Sequence, residues 1–304
     1  KKTWQDIKCI SIHGRDTHTL ITSLKSRKYN LAVITDSKNN GLSLIKQNLI
    51  ELDLYNFYEF WICEELGFKD ERIRKINIQD SIPDNISDLN IVLLLKKEQT
   101  YLSKELPLFG ISDNSFKTFE DRPNLFTKRE IRIQILADLE LPENGILWDM
   151  GAGCGTIGLE ALRLRPNLEL YCFDKRIGTK ALISENAKRL SVSPQEIIEK
   201  DIDELINIGI EKYFAIPNRL IIGGCNKKTK KNIINSLSKF LKRGDIVIVP
   251  VISYEILIEI KNLFNQLNFK TKLNLIQTYK SLSITDGTRL DPNNPVFILR
   301  GKKL

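Results

Sequence analysis

One stretch constrains the fold more than any other: Ile146 to Glu160, reading ILWDMGAGCGTIGLE. It opens on an apolar run suited to a buried parallel strand, turns on Gly151, Gly153 and Gly155, and continues as an apolar helix pattern. Strand, glycine loop and helix in that order predict one unit of a parallel α/β sheet. Glycines at such a turn supply positive φ or let the backbone lie against a ligand, and the helix start beyond them presents unpaired N–H groups. The natural occupant is a nucleotide-like molecule.

Two registers compete for the loop. Gly153, Gly155 and Gly158 spell the dinucleotide pattern GxGxxG, which is a weak signal by itself. The other register, Asp149-x-Gly151-x-Gly153-x-Gly155, sets a carboxylate at the strand end just before the glycines. There it can accept hydrogen bonds from a cationic amino group and backbone donors, whereas a pyrophosphate would be repelled. This register favours S-adenosylmethionine over NAD, with Gly151, Ala152, Gly153, Cys154 and Gly155 lining the cofactor. Asp174, closing the next strand pattern (LELYCFDK, 168 to 175), is placed as a ribose-diol acceptor and serves either cofactor class.

Around this unit the chain continues as α/β. A third strand is expected over Ile197 to Asp201, where Asp201 is a candidate for the adenine amino group, with helix capping as the alternative. The fourth, Arg219 to Ile222, ends in Gly223 and Gly224, which allow close approach of a ligand or form a plain turn. No Pro-Pro-Tyr type segment follows, which argues against base amino methylation. A strand over Ile246 to Val251 continues the parallel sheet. Lys270 to Lys280 and Pro295 to Leu299 are two last strands, joined by the irregular loop SLSITDGTRLDPNN with no helix between them. They imply a last strand inserted antiparallel, which dehydrogenase sheets lack. Upstream of the glycine loop, Thr127 and Glu130 match a capping box for a helix over Ile131 to Leu139, and Thr127 can also face the methionine end of the cofactor.

The 304 residues suggest two domains. Lys97 to Ser115 loses apolar periodicity and holds Pro107 and Gly110, which places a boundary near residues 100 to 106 and divides the chain into 1–103 and 104–304. The first part also alternates strands (Lys8 to Ile12, Leu31 to Thr35, Tyr58 to Cys63, Ile91 to Leu95) with helices (Thr17 to Lys28, Leu42 to Leu54), and Asp36 to Asn40 is a turn. His13, Arg15 and Asp16 are catalytic candidates there, against a loop that satisfies its own hydrogen bonds.

No apolar run approaches the roughly 20 residues of a membrane span, and the basic start KKTWQDIK lacks a signal-peptide core, so a cytoplasmic location and no membrane partner are expected. A chain that opens on Lys1 is expected to be a fragment or a processed product. The net charge is +8, yet lysines are dispersed without a compact basic block interleaved with aromatics; Lys227, Lys228, Lys230 and Lys231 are read as solvated surface. The five cysteines lack CxxC spacing and are expected to be reduced core thiols. Both histidines, His13 and His18, precede the glycine-loop domain, which excludes a His-based triad or a His-ligated metal in it.

SIHGRD (11 to 16), LAVITD (31 to 36) and WICEELGFKDERI (61 to 73) resemble the second lobe of the tetrapyrrole methylase family, specifically its carbon 5 precorrin methyltransferases. That family usually has Asn where this chain has Glu65, and its first lobe is not in this sequence. The resemblance implies that residues 1–304 alone lack carbon 5 activity. From Phe109 onward, LFTKREIR (125 to 132), WDMGAGCGTIGLEA (148 to 161), FDK (173 to 175), LIIGGC (220 to 225) and GTRLDPNNPVFIL (287 to 299) resemble the precorrin decarboxylating carbon 15 methyltransferases. In this order the two parts are similar to the fused form of these enzymes in cobalamin biosynthesis.

The resemblance implies a partial tetrapyrrole-methylase lobe followed by a class I, Rossmann-like methyltransferase domain that uses S-adenosylmethionine. It implies methylation at carbon 15 with loss of the ring C acetate carboxylate. The substrate is then an anionic tetrapyrrole, for which Lys128, Arg132 and Arg289 are candidate clamps, each with a plain surface charge as the alternative. No metal and no nucleic acid are implied, and assembly into a homo-oligomer is open. An RNA methyltransferase, which the basic charge permits, and a noncatalytic scaffold are the competing classes.

Overall fold

The structure is a computed structural model that describes residues 7–13, 17–26, 29–35, 41–52, 54–55, 57–97 and 106–304. Arg15, Asp16 and the turn expected over Asp36 to Asn40 lie outside the described residues, as does most of the expected boundary segment. The chain divides into two compact units, Lys1–Leu102 and Ser103–Leu304.

In the first unit, β1 (Ile7–Ser11), α1 (His18–Ser26), β2 (Asn30–Ile34), α2 (Gly41–Glu51), β3 (Tyr58–Glu64), β4 (Arg72–Ile76) and β5 (Asn90–Lys96) follow one another. The sheet order is β1-β2-β5-β3-β4, with β1 and β2 parallel and the other pairs antiparallel. Leu20, Leu24, Val33, Ile45, Ile62 and Val92 bury the helix faces against the sheet. β4 has no counterpart in the sequence reading, because most of its side chains are exposed and it presents no apolar face. Pairing with β3 and a charge cluster hold it instead. Buried Glu64 accepts from Arg72 Nη2 at 2.7 Å, from Arg74 Nε at 2.9 Å and from the Ser87 N–H at 2.9 Å. Burial would raise its pKa, but these donors outweigh burial and bring it to about 2. Cys9, expected in the core, is exposed on edge strand β1.

The second unit runs α3 (Arg129–Asp138), β6 (Gly145–Met150), α4 (Thr156–Leu164), β7 (Leu168–Asp174), α5 (Thr179–Leu190), β8 (Glu196–Glu199), α6 (Ile202–Asn207), β9 (Arg219–Ile222), α7 (Lys227–Leu237), β10 (Ile246–Val251), α8 (Tyr254–Gln266), β11 (Phe269–Ile276), β12 (Tyr279–Ile284), β13 (Gly287–Pro292) and β14 (Val296–Lys303). Seven strands form one sheet in the order β11-β14-β10-β9-β6-β7-β8. β8, β7, β6, β9 and β10 are parallel, and β14 lies antiparallel between β10 and β11. The expected α/β class with an antiparallel last strand is what forms.

Helices cover both faces of this sheet, which is why its central strands are apolar without alternation. Leu147 packs into one core with Ile135, Leu159 and Ile183, while its neighbour Trp148 packs into the other with Leu205, Ile233 and Phe264. The loop expected over SLSITDGTRLDPNN is instead largely a hairpin, β12 paired antiparallel with β13 from Tyr279 opposite Pro292 to Ile284 opposite Gly287. All its residues are exposed, so apolar periodicity is silent there; Thr285 and Asp286 make the two-residue turn, and Gly287 opens β13 opposite Ile284. Among the described residues no helix is long and apolar enough to cross a membrane.

Candidate active site

The chain leaves β6 toward β7 and β8, then returns to the other side of β6 at β9. In open α/β sheets, ligands bind outside the carboxyl ends of the strands where the order reverses in this way. Two glycine segments meet there. Gly151 has φ +75°, and a Cβ on it would stand 2.7 Å from the Gly224 nitrogen and 3.1 Å from Cys225 Sγ. The Gly223 N–H donates to the Met150 carbonyl at 2.8 Å and the Gly224 N–H to that of Gly151 at 3.3 Å. Gly223 and Gly224 therefore first serve to bring the tip of β9 against the loop after β6.

The rest of the loop is held from β7. The N–H groups of Gly151 and Ala152 donate to the Phe173 carbonyl at 2.8 and 3.1 Å, and the Gly153 N–H to Asp174 Oδ2 at 2.8 Å. Asp174 Oδ1 accepts from the Arg176 N–H at 2.9 Å, so this half-buried carboxylate ties the glycine loop to the turn after β7. Gly153 has φ +59°, and a Cβ on it would meet nothing within 4 Å, so the loop tip faces open space. Gly155 precedes α4 as its left-handed cap, and the buried Cys154 carbonyl accepts from Asn186 Nδ2 at 3.0 Å.

Asp149 sits beneath the loop, buried, with Oδ2 accepting from the Gly158 N–H at 3.1 Å. Burial pushes its pKa up to about 7, against the Gly158 hydrogen bond and with help from the Asp174 charge. An acid so placed has a backbone donor but no cationic side chain bonded to it among the described residues.

The segment before α3 departs from expectation. α3 begins after Lys128, which is its N-cap without a side-chain cap bond; Thr127 lies one residue too early, so the capping box does not form. Arg132, expected as a substrate clamp, is buried. Its guanidinium reaches Glu160 Oε2 at 3.0 Å, Asp113 Oδ1 at 2.7 Å and the carbonyls of Thr127 and Ile111. With Glu160 also accepting from the Gly110 and Ile111 N–H groups, Arg132 locks the 110–127 segment onto α4. Enclosed by these partners, it is a structural cation and not a clamp.

Lys128, the residue before α3, donates to the Asn124 carbonyl at 3.3 Å. Its ammonium lies 3.9 Å from the Phe126 ring centroid, and partial burial, opposed by the Asp113 charge and aided by those of Lys280 and Arg132, sets its pKa below the usual lysine range. Lys280, on β12, approaches Asp113 Oδ2 at 3.8 Å. Sequence reasoning missed Lys280 because it falls in the segment taken for a strand end and loop. Arg289 is exposed on β13, 3.6 Å from Asp291.

Residues 117–303 match the family described as the precorrin methyltransferase domain. The chain belongs to that family. Among its relatives, a "probable cobalt-precorrin-6B C(15)-methyltransferase (decarboxylating)" from Sulfolobus acidocaldarius is 26% identical over 195 residues, covering 64% of this chain and 97% of the relative. Its namesake from Saccharolobus solfataricus is 28% identical, over 64% of this chain and 96% of the relative. Among solved structures, a precorrin-6Y C5,15-methyltransferase from Geobacter metallireducens is similar in fold, with a TM-score of 0.58, 23% identity, and 66% of this chain against 100% of that one.

Within this precorrin methyltransferase domain one further side chain is corrected, and Asp201 takes one of its two expected roles. Lys230, read as surface, is buried: its ammonium donates to the carbonyls of Ile222 at 3.0 Å and Gly223, fastening α7 to the tip of β9. Burial, partly opposed by Cys225, lowers its pKa to about 8. Asp201 caps α6, accepting from the Asp203 N–H at 2.8 Å, and pairs with Lys175 at 3.2 Å. Capping is thus the role it fills in this structure.

Proposed function

We propose that this chain uses S-adenosylmethionine to methylate carbon 15 of a precorrin-6-type macrocycle, with decarboxylation of the ring C acetate, in cobalamin biosynthesis. The observation that carries the reading is a buried acid, Asp149, set under an open glycine loop in a chain of the precorrin methyltransferase family. Relatives named for the decarboxylating C(15) reaction, matched over nearly their whole length, support the same choice.

The residues fit the cofactor. A cation at the loop would offset the charge that burial disfavours on Asp149, and Asp174 stands at the loop edge for a diol, whereas a pyrophosphate would meet two carboxylates. Bound S-adenosylmethionine supplies a methyl group already activated on a sulfonium. The protein's contribution is then to hold the nucleophilic carbon in line, a proximity effect of up to about 7 to 11 kcal/mol. In the decarboxylation the acetate C–C bond breaks, carbon dioxide leaves, its electron pair enters the conjugated ring and a proton takes its place. Lys128, with its ammonium over the Phe126 ring, is the candidate to hold a substrate carboxylate.

The first unit is read as the second lobe of a tetrapyrrole methylase, fused to the carbon 15 domain. Carbon 5 methylation then needs a first lobe in addition to residues 1–304. The test is incubation of the full chain with methyl-labelled S-adenosylmethionine and precorrin-6B, with and without cobalt. One label gained and one carbon dioxide released per macrocycle is the expected result. Label transfer to RNA in place of the macrocycle would sink the reading.

A further inference from the structure

The β12–β13 hairpin takes no part in holding the glycine loop. Residues directly opposite in an antiparallel pair share a face, and alternate residues along a strand share it too. The register sets Lys280 opposite Asp291, Leu282 opposite Arg289 and Ile284 opposite Gly287. One face therefore carries Lys280, Leu282, Ile284 and Arg289 together with Asp291, while Tyr279, Ser281 and Leu290 fall on the other.

The hairpin joins the end of β11 to the start of β14 and so stands at the end of the sheet where the parallel strands finish, and its first face meets the 110–127 segment through Lys280. Lys280 reaches Asp113, which is bonded to Arg132 in the helix that starts beside Lys128, and Lys128 feels the Lys280 charge. Leu282 and Ile284 are 43% and 51% exposed on this face, apolar side chains flanked by cations. Asp291 and Asp113 offset only part of that charge, since they face Lys280, Arg289 and Lys128 and Asp113 is bonded to Arg132 as well. A flat, conjugated ring bearing several carboxylates matches such a surface: the ring lies on the aliphatic side chains and the carboxylates meet the cations.

We propose that the Lys280, Leu282, Ile284 and Arg289 face of the hairpin is the outer wall of the substrate site and binds the ring and carboxylates of a polycarboxylate tetrapyrrole. The assignment rests on the precorrin reading for the identity of its ligand. It names Lys280, Leu282 and Ile284 as specificity residues and gives Arg289 a place beside them.

The test titrates the full chain with uroporphyrin, an octacarboxylate, followed by porphyrin fluorescence, alongside methylation kinetics, S-adenosylmethionine calorimetry and sedimentation. Lys280→Ala combined with Arg289→Ala should raise the uroporphyrin Kd and the substrate KM by roughly tenfold and flatten the salt dependence of binding. Cofactor affinity and sedimentation should stay as in the wild type, and kcat should change by less than the KM. Leu282→Ser with Ile284→Ser should weaken uroporphyrin without changing the salt dependence. An unchanged Kd and KM in a wild type that methylates the macrocycle would overturn the wall and leave the function standing. A shift in sedimentation with unchanged Kd would assign the face to a second copy of the chain and overturn it equally. A wild type that neither binds uroporphyrin nor methylates precorrin overturns both proposals.

Discussion

Two acids excluded from solvent, one in each unit, are treated in opposite ways. Glu64 in the first unit is met by two arginines and a backbone N–H and stays ionised down to a pKa of about 2. Asp149 in the second is met by one backbone N–H and faces a second acid, and its pKa rises to about 7. Glu160, close to Asp149 in sequence and equally buried, is likewise paired with a cation, Arg132. The chain can therefore neutralise a buried carboxylate where structure alone requires it. Leaving Asp149 without a cation accords with the proposal that the cation arrives with the ligand.

The largest expected effect comes from opening one of the completed pairs. Arg132→Met removes the cation from Glu160, which is 0% exposed, and also releases the 110–127 segment. Breaking a buried pair from one side costs about 3 to 5 kcal/mol. Urea unfolding of the second unit should show a loss of that size. A loss below about 1 kcal/mol would mean that the pair is not a lock.

Asp149→Asn should act in the other direction on stability. The folded pKa of about 7 lies above the unfolded 3.8, so the native state holds the proton more tightly; stability is fullest below about pH 4 and is lost as the pH rises through 7. Asn carries no such charge and can still accept from Gly158. Above pH 7 the cofactor-free variant should be more stable by about 2 to 4 kcal/mol and its melting temperature should lose the wild-type fall between pH 4 and 7. Calorimetry should show weaker S-adenosylmethionine binding in the same variant. Intact binding would return Asp149 to a purely structural role.

That division explains what could be read from the sequence. The glycine loop and the strands around it were legible because backbone geometry demands particular residue types, Gly151 where a Cβ would strike Gly224, and apolar runs where helices cover both faces of the sheet. The resemblance added a chemistry that spacing cannot supply. Arg132 and Lys230 were misread because a lysine or arginine on a helix looks the same in sequence whether it points to water or to a carbonyl or carboxylate that only tertiary packing brings near. The β12–β13 hairpin and β4 were missed for a related reason: exposed strands carry no apolar period.

Glu64→Gln tests the completed side of the comparison in the first unit. The arginines retain access to water, so the change should cost about 1.5 to 3 kcal/mol, less than Arg132→Met. Its pH signature is opposite to that of Asp149. A folded pKa below the unfolded 4.5 gives stability that is present above that value and lost as pH falls toward 2. The variant should lose that acid-limb dependence; retention of the full wild-type slope would assign it to other carboxylates.

The smallest effect is expected one residue along. Glu65 has φ +47°, a left-handed conformation that Asn adopts more readily than Glu. Glu65 is compensated by a hydrogen bond from Ser87 Oγ, on the same segment whose backbone N–H serves Glu64. Glu65→Asn exchanges that bond for an easier backbone, so the first unit should gain only about 0.5 kcal/mol. Paired with Ser87→Ala, which removes the bond in both backgrounds, the same substitution should gain about 1 kcal/mol, measured as the shift in the urea midpoint. Equal gains in the two backgrounds would show that the Ser87 contact contributes nothing, and a loss in both would show that Glu65 is held in its left-handed turn by something other than this pair.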